Sequence, residues 1–221
     1  MLLEKERELV ANYGRRMSAE GLSNGTSGNL SIYDPETGLM ALSPSGMHYF
    51  DIEPVDVVVL DLEGHVEAGT RKPSSEWALH AYLYRAKPDI RGVVHTHSPY
   101  CTTFAVLGQP IRAVHYVIGD TGVATVPCAP YYPFGTLELA EAAIKVCGES
   151  NAVLLGNHGL VTCGKDIKSA YGLACNMEYI AELQYRAMCI GKPNILSDEE
   201  MADVMERFKS YGQPGAKKTG Y

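Results

Sequence analysis

The sequence predicts a three-layer α/β domain, with a central, mostly antiparallel sheet and helices on both faces. Two observations predict it. Strand-length apolar runs alternate with segments of helical period along the chain. The early strands are separated only by Asp34-Pro35-Glu36-Thr37-Gly38 and Glu63-Gly64, turns too short for a crossover, so those neighbours must run antiparallel. At 221 residues and 46% hydrophobic content the chain can bury a substantial core, and it contains neither an internal repeat nor a low-complexity linker. Residues 1–211 therefore read as one domain. The remaining tail, 212–221, contains Gln213-Pro214-Gly215-Ala216-Lys217-Lys218-Thr219 and is expected to be mobile.

The elements follow in order. Leu2, Leu3, Leu9, Val10, Tyr13 and Met17 keep helical spacing up to the turn at Asn24 to Gly28. Strand signals come next at Leu30–Tyr33 and Leu39–Leu42, then at Val55–Leu62 and His65–Glu67, each pair reading as a hairpin. A helix is expected from about Glu76 to Arg85, stopping before Pro88. A Val-rich strand leads to His95, followed by a short helix near Thr102–Leu107, strands near Ala113–Ile118 and Val123–Val126, and a helix at Leu137–Val146. A strand pair brackets His158. A long helix from Ile167 to Ile190 and a shorter one from Asp198 close the domain, the latter opened by the capping box Ser197-Asp198-Glu199-Glu200.

Composition excludes several classes. A net charge of −7 argues against a nucleic-acid partner, which requires a basic face, and no apolar run approaches the roughly 18 residues of a membrane helix. Neither a Walker A motif nor a strand-linked GxGxxG is present, so nucleotide binding has no support. The start Met1-Leu2-Leu3-Glu4-Lys5-Glu6-Arg7 lacks the pattern of a signal peptide, and a cytoplasmic protein is expected. Cysteines at 101, 128, 147, 163, 175 and 189 show no CxxC spacing and read as reduced, structural thiols.

The chemistry concentrates in Arg91-Gly92-Val93-Val94-His95-Thr96-His97-Ser98. Residues two apart on a strand share a face, so His95 and His97 present a pair of imidazoles to one side, a pincer suited to a metal ion. Zinc in a catalytic setting takes three protein ligands and keeps one position open, so further donors must come from elsewhere. His158 is one candidate, at a Gly-flanked break in an apolar strand pair, although a lone histidine there is ordinarily a hydrogen-bonded core residue. Glu76 is another, at a loop-to-helix junction, where the helix dipole alone would stabilise its carboxylate by about 0.3–1 kcal/mol. His80, one turn after Glu76, is a rival ligand on the same helix face. His48, His65 and His115 carry no spacing signal.

For an anion, Ser74 and Ser75 sit at a helix start, and Gly25-Thr26-Ser27-Gly28-Asn29 and Ser45-Gly46 offer exposed amides. Each turn alone is ordinary.

An ordered series of segments nevertheless resembles one family. Gly25-Thr26-Ser27-Gly28-Asn29-Leu30-Ser31, Ser43-Pro44-Ser45-Gly46, Pro73-Ser74-Ser75-Glu76-Trp77, His95-Thr96-His97, His115-Tyr116, Pro127-Cys128-Ala129-Pro130-Tyr131, Phe134-Gly135-Thr136, His158-Gly159-Leu160 and Leu196-Ser197-Asp198-Glu199-Glu200 run in the order of the class II aldolase/adducin family over nearly the whole chain. The resemblance implies the same three-layer fold and one zinc ion per subunit held by Glu76, His95, His97 and His158. It further implies a phosphate cradle of Gly28, Asn29, Ser45, Gly46, Ser74 and Ser75, with Glu76 and Tyr116 as catalytic groups, Tyr116 reaching in from a neighbouring subunit. Phe134 and Tyr211 match residues that shape the aldehyde pocket, and the assembly implied is a homotetramer. The implied reaction is metal-dependent aldol cleavage of a small phosphorylated sugar, a ketose 1-phosphate. Within the family the chain most resembles the branch whose substrate is L-fuculose 1-phosphate, which implies dihydroxyacetone phosphate and L-lactaldehyde as products.

Three alternatives accompany that reading: 5-deoxyribulose or methylthioribulose 1-phosphate as substrate, ribulose-5-phosphate 4-epimerisation, and a non-enzymatic adducin-like module. The epimerases typically carry Asp where this chain has Glu76. Two positions depart from the fuculose branch without touching an implied ligand: Asn157, before His158, replaces a histidine, and Thr96 replaces an asparagine. Ile118-Gly119-Asp120-Thr121-Gly122 departs from the small-residue stretch expected after the His-Tyr pair.

Overall fold

A computed structural model describes residues 1–210; Tyr211 and the tail expected at 212–221 lie outside the described residues. The chain opens with helix α1 (Glu4–Ala19) and the hairpin strands β1 (Asn29–Asp34) and β2 (Leu39–Leu42), then β3 (Val58–Asp61), β4 (Val66–Ala68) and helix α2 (Trp77–Ala86). Strand β5 (Gly92–Thr96), helix α3 (Pro99–Leu107), the short strands β6 (Ile111–Arg112), β7 (Thr125–Val126) and β8 (Cys128–Ala129), and helix α4 (Leu137–Cys147) follow. Strands β9 (Ala152–Leu155) and β10 (Gly159–Gly164) and helices α5 (Ile167–Ile190) and α6 (Asp198–Ser210) complete it.

Eight strands form one sheet in the order β4-β3-β2-β1-β5-β10-β9-β8, with β6 and β7 as a separate pair. Every neighbour in the large sheet is antiparallel except β8 and β9. Alternation along the strands divides the core in two. Leu30, Ala41, Val59, Val94, Leu154 and Leu160 face one way and join α1, α3 and α5. Met40, Leu60, Val93, Val153, Leu155 and Val161 face the other way, against Leu79 and Leu83 of α2 and Leu139 and Ala143 of α4. The three-layer α/β architecture is the one expected, and it places His95, two residues beyond Val93 on β5, on the face that α2 covers.

Several boundaries differ from expectation, each for a local reason. The strand expected at Ala113–Ile118 is instead a 3-10 helix over Tyr116–Thr121. Thr121 Oγ1 donates to the Ile118 carbonyl at 2.7 Å and closes the turn, and Gly119 packs closely beneath Met201, Val204 and Phe208 of α6. The strand expected from Val55 starts at Val58, because Pro54–Asp56 forms a 3-10 turn in which the Glu53 amide donates to Asp56 Oδ2 at 3.0 Å. Helix α3 starts at Pro99 rather than near Thr102. Its Tyr100 and Cys101 amides donate to the Glu178 carboxylate of α5 at 2.8 and 2.9 Å, a cap supplied from 78 and 77 residues away. The capping box at α6 forms as expected, with Ser197 and Glu200 exchanging backbone-to-side-chain hydrogen bonds.

Candidate metal centre and active site

The end of β5, the β9–β10 turn and the start of α2 converge on one point. Strand pairing sets His95 opposite Asn29 on β1 and Val161 on β10. His97 follows just past the strand end, and His158 stands in the turn before β10. Two small residues permit the approach. A Cβ on Gly159 would collide with the Thr96 carbonyl oxygen. One on Gly28, held at φ +75°, would lie 2.7 Å from the His95 carbonyl oxygen.

Asn157 reaches the left-handed region at φ 54°, which a side chain that bonds its own backbone tolerates best, and so aims His158 inward. Replacing Asn157 with Val should cost about 1–2 kcal/mol, whereas Asn157→Gly should be nearly neutral; urea midpoints of the two variants test this.

The three imidazoles stand edge to face, at interplanar angles of 68°, 81° and 85°. His95 Nε2 lies 3.0 Å from His97 Nε2 and 3.2 Å from His158 Nε2. Glu76 closes the group. Its Oε2 is 3.4 Å from His95 Nε2, and its Oε1 is 3.5 Å from His158 Nε2. Ligands about 2.0–2.1 Å from a tetrahedral metal are separated by roughly 3.3 Å, so these spacings suit a first-row divalent ion.

Two polar details support the fit. His95 Nδ1–H donates to the Leu160 carbonyl at 2.9 Å, which leaves the Nε2 lone pair directed at the centre. Glu76 Oε1 is buried and accepts no hydrogen bond, a costly state for a carboxylate oxygen that a bound cation would relieve. Among the described residues, His95, His97 and His158 form a group able to hold a metal ion. His80, the rival ligand, points elsewhere: it is fully buried and bonded to Ser31 and Asn29.

Burial first, then the neighbouring imidazoles, push His95 and His97 down to about 3, and burial with His95 does the same to His80. These values lie below the 6.5 of an unfolded histidine, so acid protonates the unfolded chain first. The contribution is fully present above about pH 6.5 and is lost as pH falls toward 3. Metal-free protein should therefore show urea midpoints that decline steadily from pH 7 to pH 4. A flat profile would contradict the assignment.

The three polar turns are tied to one another. The Ser74 amide donates to the Ser43 carbonyl at 3.1 Å, the Ser45 amide donates to the Lys72 carbonyl at 2.9 Å, and the Leu30 amide donates to Ser43 Oγ at 3.2 Å. Gly28, Ser45, Gly46, Ser74 and Ser75 thus border one corner of the sheet at the start of α2, where the helix dipole and the serine hydroxyls favour an anion. Asn29 differs from its expected place. Its side chain is turned to Glu76 and His80, with Nδ2 donating to Glu76 Oε2 at 2.8 Å, which leaves one amide hydrogen for any ligand. Tyr49, which carried no sequence signal, steadies the corner by donating to the Gly28 carbonyl at 2.7 Å.

Phe134 is 71% exposed, on a loop whose Gly135 abuts the Ser75 carbonyl. Tyr116 is 51% exposed and packs with His115 and Phe208 rather than with His95, His97 or His158 of its own chain. Tyr211, also expected at the pocket, lies outside the described residues.

Comparison with known proteins gives the family. Residues 8–185 match the model of the Class II Aldolase and Adducin N-terminal domain. The chain is 47% identical over 213 residues to a 5-deoxy-D-ribulose 1-phosphate aldolase of Bacillus thuringiensis serovar kurstaki, covering 96% of this chain and 100% of that one. It is 41% identical to a 5-methylthioribulose-1-phosphate/5-deoxyribulose-1-phosphate aldolase of Rhodospirillum rubrum, covering 93% of this chain and 92% of that one. A solved L-fuculose 1-phosphate aldolase superposes with a TM-score of 0.90 at 38% identity, covering 93% of this chain and 96% of that one. The chain belongs to the class II aldolase and adducin family and, within it, to the metal-dependent aldolases, enzymes that cleave carbon–carbon bonds.

Proposed function

We propose that the chain catalyses reversible, zinc-assisted cleavage of a ketose 1-phosphate to dihydroxyacetone phosphate and a short aldehyde. The observation that carries this reading is the convergence of Glu76 on His95, His97 and His158, one residue after the Ser74-Ser75 turn. Glu76, His95, His97 and His158 would hold one zinc ion. When bound, zinc acts as a Lewis acid toward the negative charge that develops as the bond breaks, a term worth several kcal/mol.

Gly28, Ser45, Gly46, Ser74, Ser75 and the free amide hydrogen of Asn29 hold the phosphate, which fixes C2 and C3 of the sugar relative to Glu76. Loss of the proton from the C4 hydroxyl and rupture of C3–C4 release the aldehyde and leave the electron pair on C3. Glu76, having taken up a proton from solvent in exchange for the one the C4 hydroxyl loses to it, then gives that proton to C3, completing dihydroxyacetone phosphate. Tyr116, reaching the site from a neighbouring copy, is assigned to the C4 oxygen. Its exposure, and that of Tyr131, Phe134 and Tyr179, supports a homotetramer with sites at subunit contacts. Phe134 and Tyr211 are assigned to the aldehyde pocket. No helix among the described residues is long and apolar enough to cross a membrane, and the six free cysteines suit the reducing cytoplasm.

Among substrates, the 47% and 41% identities favour 5-deoxy-D-ribulose 1-phosphate, with L-fuculose 1-phosphate next. Both share the phosphate end and the bond to be broken. They differ only in the aldehyde released, acetaldehyde or lactaldehyde.

The test is phosphorus and proton NMR of zinc-loaded protein with each sugar phosphate and with ribulose 5-phosphate. Dihydroxyacetone phosphate plus the matching aldehyde is expected from the first two. Xylulose 5-phosphate from the third, without cleavage of the others, would replace this reading with the epimerase.

A further inference from the structure

Behind Glu76 lies a chain of buried polar side chains, of which the reaction scheme uses only Asn29. Asn29 Nδ2 donates to Glu76 Oε2 at 2.8 Å, and Asn29 Oδ1 faces His80 Nε2 at 2.5 Å. His80 Nδ1 lies 2.6 Å from Ser31 Oγ, which lies 2.7 Å from the Tyr84 hydroxyl. Asn29, Ser31, His80 and Tyr84 are all buried, and His80 and Ser31 are fully so. No other hydrogen-bond partner competes for the His80 ring among the described residues.

The polarity of this chain follows from its two ends. The serine end accommodates either direction, because the hydroxyls of Ser31 and Tyr84 can each give or take a hydrogen and the Tyr84 hydrogen can be shared between Ser31 Oγ at 2.7 Å and the Ser31 carbonyl at 3.0 Å. The carboxylate end does not. An ionised Glu76 only accepts, so the Asn29 amide must turn its NH2 to Glu76 and its oxygen to His80. That oxygen requires a donor, so His80 carries its proton on Nε2 and accepts from Ser31 at Nδ1. Burial keeps this ring neutral.

The consequence falls on Glu76. Its two oxygens are made unequal: Oε2 is already occupied by an N–H, while Oε1 has no hydrogen-bond donor and faces His158. A proton placed on Oε2 would meet the Asn29 hydrogen head-on, so Oε1, the oxygen that would otherwise face a cation, is the one left to carry a proton once substrate is bound.

We propose that His80 is a positioning residue that acts through Asn29 on Glu76, pinning Oε2 so that Oε1 is the oxygen that carries the proton to and from the substrate carbon. The inference rests on the reading of Glu76 as the proton carrier. Its chemistry is a simple transfer: the Oε1–H bond breaks as the C3–H bond forms, and no other reactant is needed.

Two substitutions at one position test it. His80→Gln extends an amide N–H to about where Nε2 stood and keeps the bond to Asn29, whereas His80→Asn reaches only to the Nδ1 position and keeps Ser31 alone. The readouts are bound zinc, KM and kcat for cleavage of 5-deoxy-D-ribulose 1-phosphate, and deuterium uptake by dihydroxyacetone phosphate. We expect His80→Asn to lower kcat and deuterium uptake roughly 10- to 100-fold. KM should stay within about threefold and zinc near one per chain, and His80→Gln should restore most of the loss. Equal losses in both variants, or a rise in KM at unchanged kcat, would overturn the proposal in favour of a packing or phosphate-side role. Glu76→Gln is run beside them. If it retains deuterium uptake, the underlying reading and this inference both fall; if it abolishes uptake while His80→Asn does not, only this inference falls.

A measurement on the unaltered protein stands apart from any folding defect in the variants. Nitrogen-15 NMR of histidine-labelled, zinc-loaded protein should show His80 protonated at Nε2 and bare at Nδ1. The opposite tautomer would overturn the proposal.

Discussion

Glu76→Gln is expected to reduce cleavage of the ketose phosphate by about a thousandfold while leaving the fold and most of the bound zinc in place. Glutamine has the size of glutamate and keeps an oxygen that can face the metal, so the packing at the start of α2 is conserved. It cannot carry a proton as a carboxyl group can. His97 and His158 still stand within hydrogen-bond distance of His95, and the three suffice to retain metal when it is supplied in excess. Activity, metal content and melting temperature therefore separate: the first collapses and the other two barely move. Cleavage within tenfold of the parent protein would remove Glu76 from the proton-transfer role. A parallel loss of zinc and activity would make it a ligand and nothing more.

The second large effect concerns the metal. His95 is the hub of the cluster, because its Nε2 faces His97, His158 and Glu76 while its Nδ1 is bonded to the Leu160 carbonyl. His95→Ala should leave less than about 0.1 zinc per chain and no measurable cleavage, since it removes a ligand and the element that orders the others. In the parent protein, stripping the metal with a chelator should abolish activity reversibly. It should also lower thermal stability. A ligand present at a hundred times its dissociation constant contributes about 2.7 kcal/mol. In a domain of this size that is a shift of roughly 5–10 °C. Restored zinc should return both, whereas activity that survives complete metal removal would refute the metal-assisted scheme.

Much of this architecture is legible before any coordinates, and the exceptions share one cause. The hairpins, helix α5 and the capping box of α6 follow from local periodicity and turn chemistry, which short windows of sequence carry. The His95/His97 pair is legible for the same reason, since strand alternation puts both rings on one face. What escapes is decided by partners distant in the chain. Strand β8 is two residues long and exists because Cys128 and Ala129 pair in parallel with Leu154 and Leu155. The true start of α3 depends on Glu178, and the 3-10 turn at Tyr116 depends on small residues packing beneath α6.

His80 is an instructive middle case. Its spacing from Glu76 marks it as a neighbour on one helix face, which suggests a competing ligand. Only the register that sets Asn29 opposite His95 turns it into a support for Glu76 instead. Tyr49 has no comparable signal in the sequence, because its hydroxyl finds the Gly28 carbonyl across 21 residues.

The most direct test of the central claim, that Glu76 and a metal ion held by the three histidines move a proton at the sugar carbon, needs neither the aldehyde nor its identity. Zinc-loaded protein is incubated with dihydroxyacetone phosphate alone in deuterated water, and the hydroxymethyl carbon is followed by proton NMR. One deuterium per molecule should enter, on one face of that carbon, and none once zinc is chelated. Uptake that persists without metal, or its absence from the zinc-loaded protein, would contradict that claim.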